Sequence, residues 1–468
     1  MVNDELKLLI DGKLIDGDMT MDVVNPATAE PVTTACPRAS ERQLNQAVAA
    51  AKKAFPAWSS TPIEERKAAL MAIADGIDAK AEELATVITQ EQGKPFGEAL
   101  REVGGTSGFF RYSASLDIPV QTIEKSADRH AEAHRLPLGV VGLIVPWNFP
   151  LMLISFKLPV ALLAGNSIVL KPAPTTPLCA LMLAEIIADK VPAGVVNVIV
   201  DNNDLGPLLT AHPDVRKVSF TGSTAVGKSI MASSASTLKR LTLELGGNDA
   251  GIVLDDIDVA AVAMPIFMGG FYNSGQICVA TKRLYVHDSV YDDLVAALAE
   301  IAANIPVGEG FQEGVALGPV QNKKQYNRVK ELIEDARSVG TVLDDGPLPE
   351  GDGYFIRPTI IRDISDGTRI VDEEQFGPVL PIIRYTELDD AIARANNCEY
   401  GLACSVWSSD VERAKEVASK IEAGTVWINK QGDMAPHIPL AGMKMSGVGV
   451  ELGQQGLEEY TQLKVINA

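Results

Sequence analysis

Four short stretches of this 468-residue sequence carry side chains capable of bond-making chemistry. In NSGQICVATKR, residues 273–283, Cys278 stands between Ile277 and Val279. A cysteine thiolate adds to electrophilic carbonyls, but it needs a lowered pKa or a neighbouring base, and a free cysteine between branched apolar residues is equally a core filler. In LTLELGGND, residues 241–249, Leu241, Leu243 and Leu245 alternate with Thr242 and Glu244 before Gly246 and Gly247 break the strand. A carboxylate at a strand end lies where open α/β sheets hold ligands and can act as a base; it can also be a solvated strand residue. PWNFP, residues 146–150, sets Trp147 and Asn148 between prolines, where the Asn148 amide could donate to an oxyanion or cap a helix. KVSFTGSTAVGKSIM, residues 217–231, ends a β-run in Gly222 and Ser223 and places Gly227 in the first helical turn. Such a turn suits a phosphate, or is an ordinary strand-to-helix connection. It is neither the GxGxxG fingerprint nor a P-loop.

These residues need elements to hold them. Residues 41–103 have apolar positions at helical spacing, with Ser40 as N-cap and Pro62 near a second helix start. Short β-branched runs then alternate with helical stretches: GVVGLIV, NSIVLKPA, VVNVIV and KVSFTGS. A second series runs through AGIVL, KRLYVHD, TVLDDG, CSVWSS, a long helix and AGTVWINK. Alternation of this kind implies parallel sheets covered on both faces. The tail LEEYTQLKVINA alternates enough to be a strand paired with another segment or subunit. The length suggests two or three domains, and no internal repeat is evident.

The charge balance narrows the partners. With 61 acidic against 41 basic residues the net charge is −20, which opposes nucleic acid and anionic membrane surfaces but not a small anionic cofactor held by backbone N–H groups. The five cysteines form no CxxC pair or His-rich cluster, so neither a metal site nor a disulfide framework is expected. The N-terminus MVNDELKLLIDGK lacks a signal-peptide pattern, and the uncharged stretch from Leu136 is broken by Pro137, Pro146 and Pro150. A cytoplasmic protein is expected.

Taken together the motifs resemble the aldehyde dehydrogenase superfamily, the non-phosphorylating NAD(P)-dependent kind. The resemblance spans nearly the whole chain in order: PWNFP at 146–150, KPAPTTP at 171–177, FTGSTAVG at 220–227, LELGGND at 243–249, GQIC at 275–278, EEQFGPV at 373–379, GTVWIN at 424–429 and KMSGVGVELG at 444–453. It implies Cys278 as nucleophile, Asn148 as oxyanion donor, Glu244 as general base, and Lys157 with Glu451 assisting proton transfer. On the cofactor side it implies Lys171 at the adenosine ribose, Gly222, Ser223 and Gly227 at the phosphates, Trp147 in the nearby wall, and Glu374 with Phe376 at the nicotinamide ribose. Where strongly NAD-preferring relatives carry a glutamate, this chain has Pro174, so NAD with NADP tolerated is expected.

By the same alignment the aldehyde tunnel is lined by Leu153, Phe156, Ile277, Val279, Met434 and Leu440, with no Arg or Lys to grip a carboxylate, which implies apolar aliphatic or aromatic aldehydes. The implied fold is α/β: a Rossmann-like NAD(P)-binding domain from 1–115 and 137–246, an α/β catalytic domain from 247–444, and a β-hairpin oligomerisation element from 116–136 and 445–468, giving a homodimer or homotetramer. Two rivals remain: a CoA-acylating dehydrogenase, which a poised Glu244 disfavours, and a catalytically silent scaffold, which would lack one of Cys278, Glu244 and Asn148.

Overall fold

The β-branched runs become the middle of two sheets in the computed structural model, which describes residues 6–468. The first sheet has eight strands in the order Lys13–Ile15, Leu8–Ile10, Val196–Val198, Ser167–Lys171, Val140–Ile144, Val215–Thr221, Arg240–Glu244 and Gly447–Val448. Its five central strands are parallel, as the strand–helix alternation requires. Both edges are closed by antiparallel pairings that the alternation did not indicate. Near-continuous apolar runs such as VVGLI are buried on both faces, the signature of a sheet covered on two sides. Arg240–Glu244 follows the same rule: Thr242, Leu243 and Glu244 are all buried, so its apolar–polar alternation does not mark a solvent face.

The second sheet has seven strands, in the order Thr341–Leu343, Thr359–Ile364, Val379–Tyr385, Thr281–His287, Asp249–Val253, Ala403–Trp407 and Thr425–Ile428. All pairings are parallel except at Thr341–Leu343. The helix between its last two strands, Val411–Ala418, is eight residues long, shorter than the pattern suggested. A third, antiparallel sheet joins Gln121–Lys125, His130–Pro137 and the terminal strand Thr461–Asn467. The C-terminal region is therefore divided: Gly447–Val448 joins the first sheet, Gly453–Glu458 is helical, and only Thr461–Asn467 pairs with the hairpin.

Four helices fill the predicted helical region: Glu41–Ser59, Ile63–Ala79, Ala81–Gln92 and Phe96–Ala114. Ser40 caps the first in a reciprocal capping box with Gln43, and Pro62 immediately precedes the second. The stretch from Leu136 becomes strand, turn and a four-residue helix, Met152–Ser155. Among the described residues, no helix is long and apolar enough to cross a membrane. The first five residues of the N-terminal stretch examined for a signal peptide lie outside the described residues.

Candidate active site

Strand register brings the motifs to one edge. Ile144 lies opposite both Lys171 and Phe220, and Thr221 opposite Glu244, so PWNFP, KPAPTTP, FTGS and LGGND leave their strands side by side. The chain steps from Val140–Ile144 to Ser167–Lys171 and Val196–Val198 on one side, then crosses to Val215–Thr221 on the other. The crevice at such a reversal is where open α/β sheets bind ligands.

Asn148 is buried there and caps no helix, since Met152–Ser155 begins after Leu151. Its Nδ2 donates to the Gln276 carbonyl at 2.9 Å. Its own carbonyl accepts from Lys94 Nζ and from Asn273 Nδ2, each at 3.0 Å. Lys94 is held by Glu102 at 2.6 Å, and the other Glu102 oxygen accepts from the N–H groups of Leu151 and Met152 at 3.0 and 3.2 Å. Sequence reasoning did not find Lys94, Glu102 and Asn273, which tie the PWNFP turn to the cysteine loop.

That loop bends through three consecutive left-handed residues, Asn273, Ser274 and Gly275. A Cβ at Gly275 would stand 2.1 Å from the Gly377 carbonyl oxygen, so the third position requires glycine. The bend delivers Cys278, half-buried, to a cavity it shares with Glu244. Burial pushes the Cys278 thiol up to about 12; Lys282 opposes this, while Glu244, Asp249 and Glu374 reinforce it. Lys282 donates to the carbonyls of Ile277 and Cys278, each at 2.8 Å, and lies 3.7 Å from Glu374. Its position four residues after Cys278 was the available but unread signal.

Glu244 is 6% exposed, which removes the reading of a solvated strand carboxylate. Burial lifts its carboxyl well above the usual range, Glu451 adds to the effect and Lys157 opposes it. Glu244 Oε1 has no hydrogen-bond partner among the described residues. Behind it, Lys157 Nζ meets Glu451 Oε1 at 2.6 Å in a wholly buried pair, and Ser219 Oγ donates to the same oxygen at 3.0 Å.

The cavity measures about 550 Å³. Leu153, Phe156, Ile277, Val279, Met434 and Leu440 all line it. The expectation of a wall without basic residues needs correction, because Arg101 and Lys430 also border the cavity. Both are exposed, Lys430 is paired with Asp433, and Arg101 stands close enough to Glu98 to offset its charge. Burial pushes the Glu98 carboxyl up to about 7. Glu98 and Arg101 come from Phe96–Ala114, which the periodicity identified only as a helix.

At the crevice, Lys171 is buried and paired with Asp201 at 2.7 Å, and Pro174 follows in a half-buried turn. Ser223 occupies the N-cap position of the 11-residue helix Thr224–Ser234, is exposed, and makes no side-chain cap bond, so the first-turn N–H groups face outward. Gly222 sits where a Cβ would come 2.4 Å from the Phe220 ring, and Gly227 where one would come 2.5 Å from Leu245, so Gly227 serves close helix–strand packing. Glu374 Oε1 accepts from the Gly247 N–H at 3.2 Å. Phe376 adopts a left-handed conformation and packs edge-on against Trp147, ring centroids 5.4 Å apart.

The model of the Aldehyde dehydrogenase family matches residues 15–466. The chain is 39% identical over 97% of its length to a putative aldehyde dehydrogenase, FUS7, of Gibberella fujikuroi, of which it covers 97%. The NAD+ complex of an aldehyde dehydrogenase from Bacillus cereus is 38% identical, with a TM-score of 0.97 over 100% of this chain and 97% of that one. An NADP-dependent enzyme of E. coli is 36% identical, with a TM-score of 0.96 over 99% of this chain and 98% of that one. A match along nearly the full length, with thiol and buried carboxyl lining one cavity, leads to one conclusion: the chain belongs to the aldehyde dehydrogenase family, oxidoreductases that act on aldehydes with NAD(P)+.

Proposed function

We propose that this enzyme oxidises apolar aliphatic or aromatic aldehydes to carboxylic acids, with NAD as the usual electron acceptor and NADP tolerated. The observation that carries the reading is the shared cavity, in which Cys278 and Glu244 meet six apolar side chains. Of the basic residues at its border Lys430 is paired with Asp433, and the apolar walls support apolar substrates over aldehydes carrying a carboxylate.

The crevice fits a dinucleotide. Uncapped N–H groups at the start of Thr224–Ser234 suit a pyrophosphate, Gly222 and Ser223 leave the approach open, and Lys171 stands two strands away, at the end of Ser167–Lys171, for the adenosine ribose. A Cβ at Gly246 would lie 2.4 Å from Glu374 Oε2, so glycine leaves room for that carboxylate to face the nicotinamide ribose beside Phe376 and Trp147. When bound, the nicotinamide supplies a hydride acceptor.

Cys278 loses its proton to ionised Glu244, through water, and its sulfur bonds the aldehyde carbon. The Asn148 amide and the Cys278 backbone N–H hold the oxyanion of this thiohemiacetal. Departure of the hydride from that carbon leaves a thioester on Cys278. Glu244 takes a proton from water at its free Oε1, the resulting hydroxide attacks the thioester, the C–S bond breaks and the acid leaves. Lys157 and Glu451 tune the Glu244 charge and pass its proton onward.

The two large sheets support a cofactor domain (1–115 and 137–246) and a catalytic domain (247–444); of the oligomerisation element (116–136 and 445–468), the third sheet supports the hairpin and Thr461–Asn467, whereas Gly447–Val448 belongs with the cofactor sheet. Leu463, Val465 and Ile466 are exposed on the terminal strand and Val120, Ile123 and Leu136 on or near the hairpin, an apolar surface suited to a second copy in a homodimer or homotetramer. Five free cysteines suit a reducing, cytoplasmic setting. The test is NAD-dependent turnover of hexanal, benzaldehyde and succinic semialdehyde, with and without CoA. Hexanal or benzaldehyde preferred and free acid as product is expected; a preference for succinic semialdehyde, or acyl-CoA as product, refutes the reading.

A further inference from the structure

We infer that Asp201 is the residue that sets the preference for NAD over NADP, acting as a positioning residue through Lys171. This rests on the proposed placement of Lys171 at the adenosine ribose. At the end of a central strand, an ammonium with no counter-charge would attract the 2′-phosphate that distinguishes the two cofactors. The turn that carries Lys171 offers no carboxylate, because Pro174 stands where one would be expected. The structure brings a carboxylate from another loop: Asp201 Oδ1 accepts from Lys171 Nζ at 2.7 Å, with both side chains at least nine-tenths buried.

Asp201 cannot swing away readily. Its Oδ2 accepts from the Leu205 N–H at 2.9 Å. The loop is pinned on both sides, by Ile199 N–H to the Leu170 carbonyl at 3.0 Å, by Ala39 N–H to the Val200 carbonyl at 2.7 Å, and by Arg38 to Asp204 at 2.8 Å. Gly206 packs alongside, where a Cβ would lie 3.6 Å from Lys171 Cε. The pair is thus electrically neutral and fixed. Its ammonium keeps donors for neutral ribose hydroxyls, but a 2′-phosphate gains little from Lys171 and is repelled by the carboxylate behind it.

The test measures binding as well as turnover. Calorimetric titration of wild type, Asp201→Asn and Asp201→Ser with 5′-AMP, 2′,5′-ADP, NAD and NADP gives affinity ratios, and kcat/KM with both cofactors gives the corresponding catalytic ratio. Removing one unit charge this close should improve the affinity for 2′,5′-ADP relative to 5′-AMP, and the NADP/NAD ratio of kcat/KM, by about tenfold. Two substitutions are used because Asn keeps the shape and Ser keeps an acceptor for Lys171; the inference requires the shift in each variant that retains NAD binding. Lys171→Met separates the two levels of the argument. If it leaves NAD affinity unchanged, the placement of Lys171 at the ribose fails; if it weakens NAD while Asp201→Asn and Asp201→Ser leave both ratios unchanged, the assignment of Asp201 fails.

Discussion

Replacing Asn148 by alanine isolates the proposed oxyanion donor, because the interactions that position this residue are mostly made by its backbone. The Asn148 carbonyl bonds to Lys94 and Asn273 survive the substitution. The Gln276 carbonyl, which loses the Asn148 amide at 2.9 Å, retains a contact from Asn273 Nδ2 at 3.4 Å. The stability cost is therefore that of a single partly compensated hydrogen bond, about 1 kcal/mol. The catalytic cost is larger: losing one preorganised donor to a developing oxyanion costs about 2.7–4 kcal/mol, or roughly 10²–10³ in rate. The assay is kcat/KM for benzaldehyde at saturating NAD, with urea denaturation as the stability readout. A rate loss under about tenfold in a folded variant would refute the assignment and put the oxyanion elsewhere. A loss of folding comparable to the rate loss would refute the claim that the backbone positions the turn.

Other residues give predictions of distinct kinds. Because Glu244 and Cys278 both have raised pKa values and both must lose protons, kcat/KM for aldehyde should keep rising with pH beyond the ordinary carboxylate range. Glu451→Gln removes a charge that raises the Glu244 pKa, so ionised Glu244 persists to lower pH and the rising limb moves down; Lys157→Met removes the opposing charge and moves it up. Both limbs moving the same way in the measured pH profiles would contradict this. Lys94→Met leaves Glu102, 3% exposed, without its cation and should cost about 3–5 kcal/mol in urea denaturation, part of which Glu102→Leu restores. Deleting 461–467 should lower the assembled mass measured by light scattering; an unchanged mass rules out the terminal strand as the assembly contact.

The sequence made the parallel core legible because its strands are short β-branched runs between helices: Val140–Ile144 and Ser167–Lys171 fall within such runs, and Val215–Thr221 begins two residues before its own. The edge strands were hidden: Leu8–Ile10 and Gly447–Val448 are three and two residues long, the first joined to the sheet at one position opposite Val198 and the second paired only with distant Leu243 and Glu244. At the site, local chemistry left Cys278, Glu244 and Asn148 each with two readings. Burial removes the solvated reading of Glu244, and the helix start after Leu151, with the Asn148 amide bonded to Gln276 128 positions away, removes the cap reading of the asparagine. Lys94 and Asp201 escaped detection because their meaning lies in partners that sequence spacing does not reveal, whereas Lys282 lies only four residues from the Cys278 carbonyl it bonds. Glu98 and Arg101 escaped because a helix pattern does not say which turn borders a cavity.

The central claim is that Cys278 carries the acyl group and Glu244 is needed to release it. Mass spectrometry of Glu244→Gln protein mixed with benzaldehyde and NAD tests this most directly. One benzoyl group in place of one hydrogen is expected on the peptide containing Cys278, accumulating in Glu244→Gln protein and absent from the Cys278→Ala control. No adduct despite NADH formation, or an adduct on another residue, would contradict it.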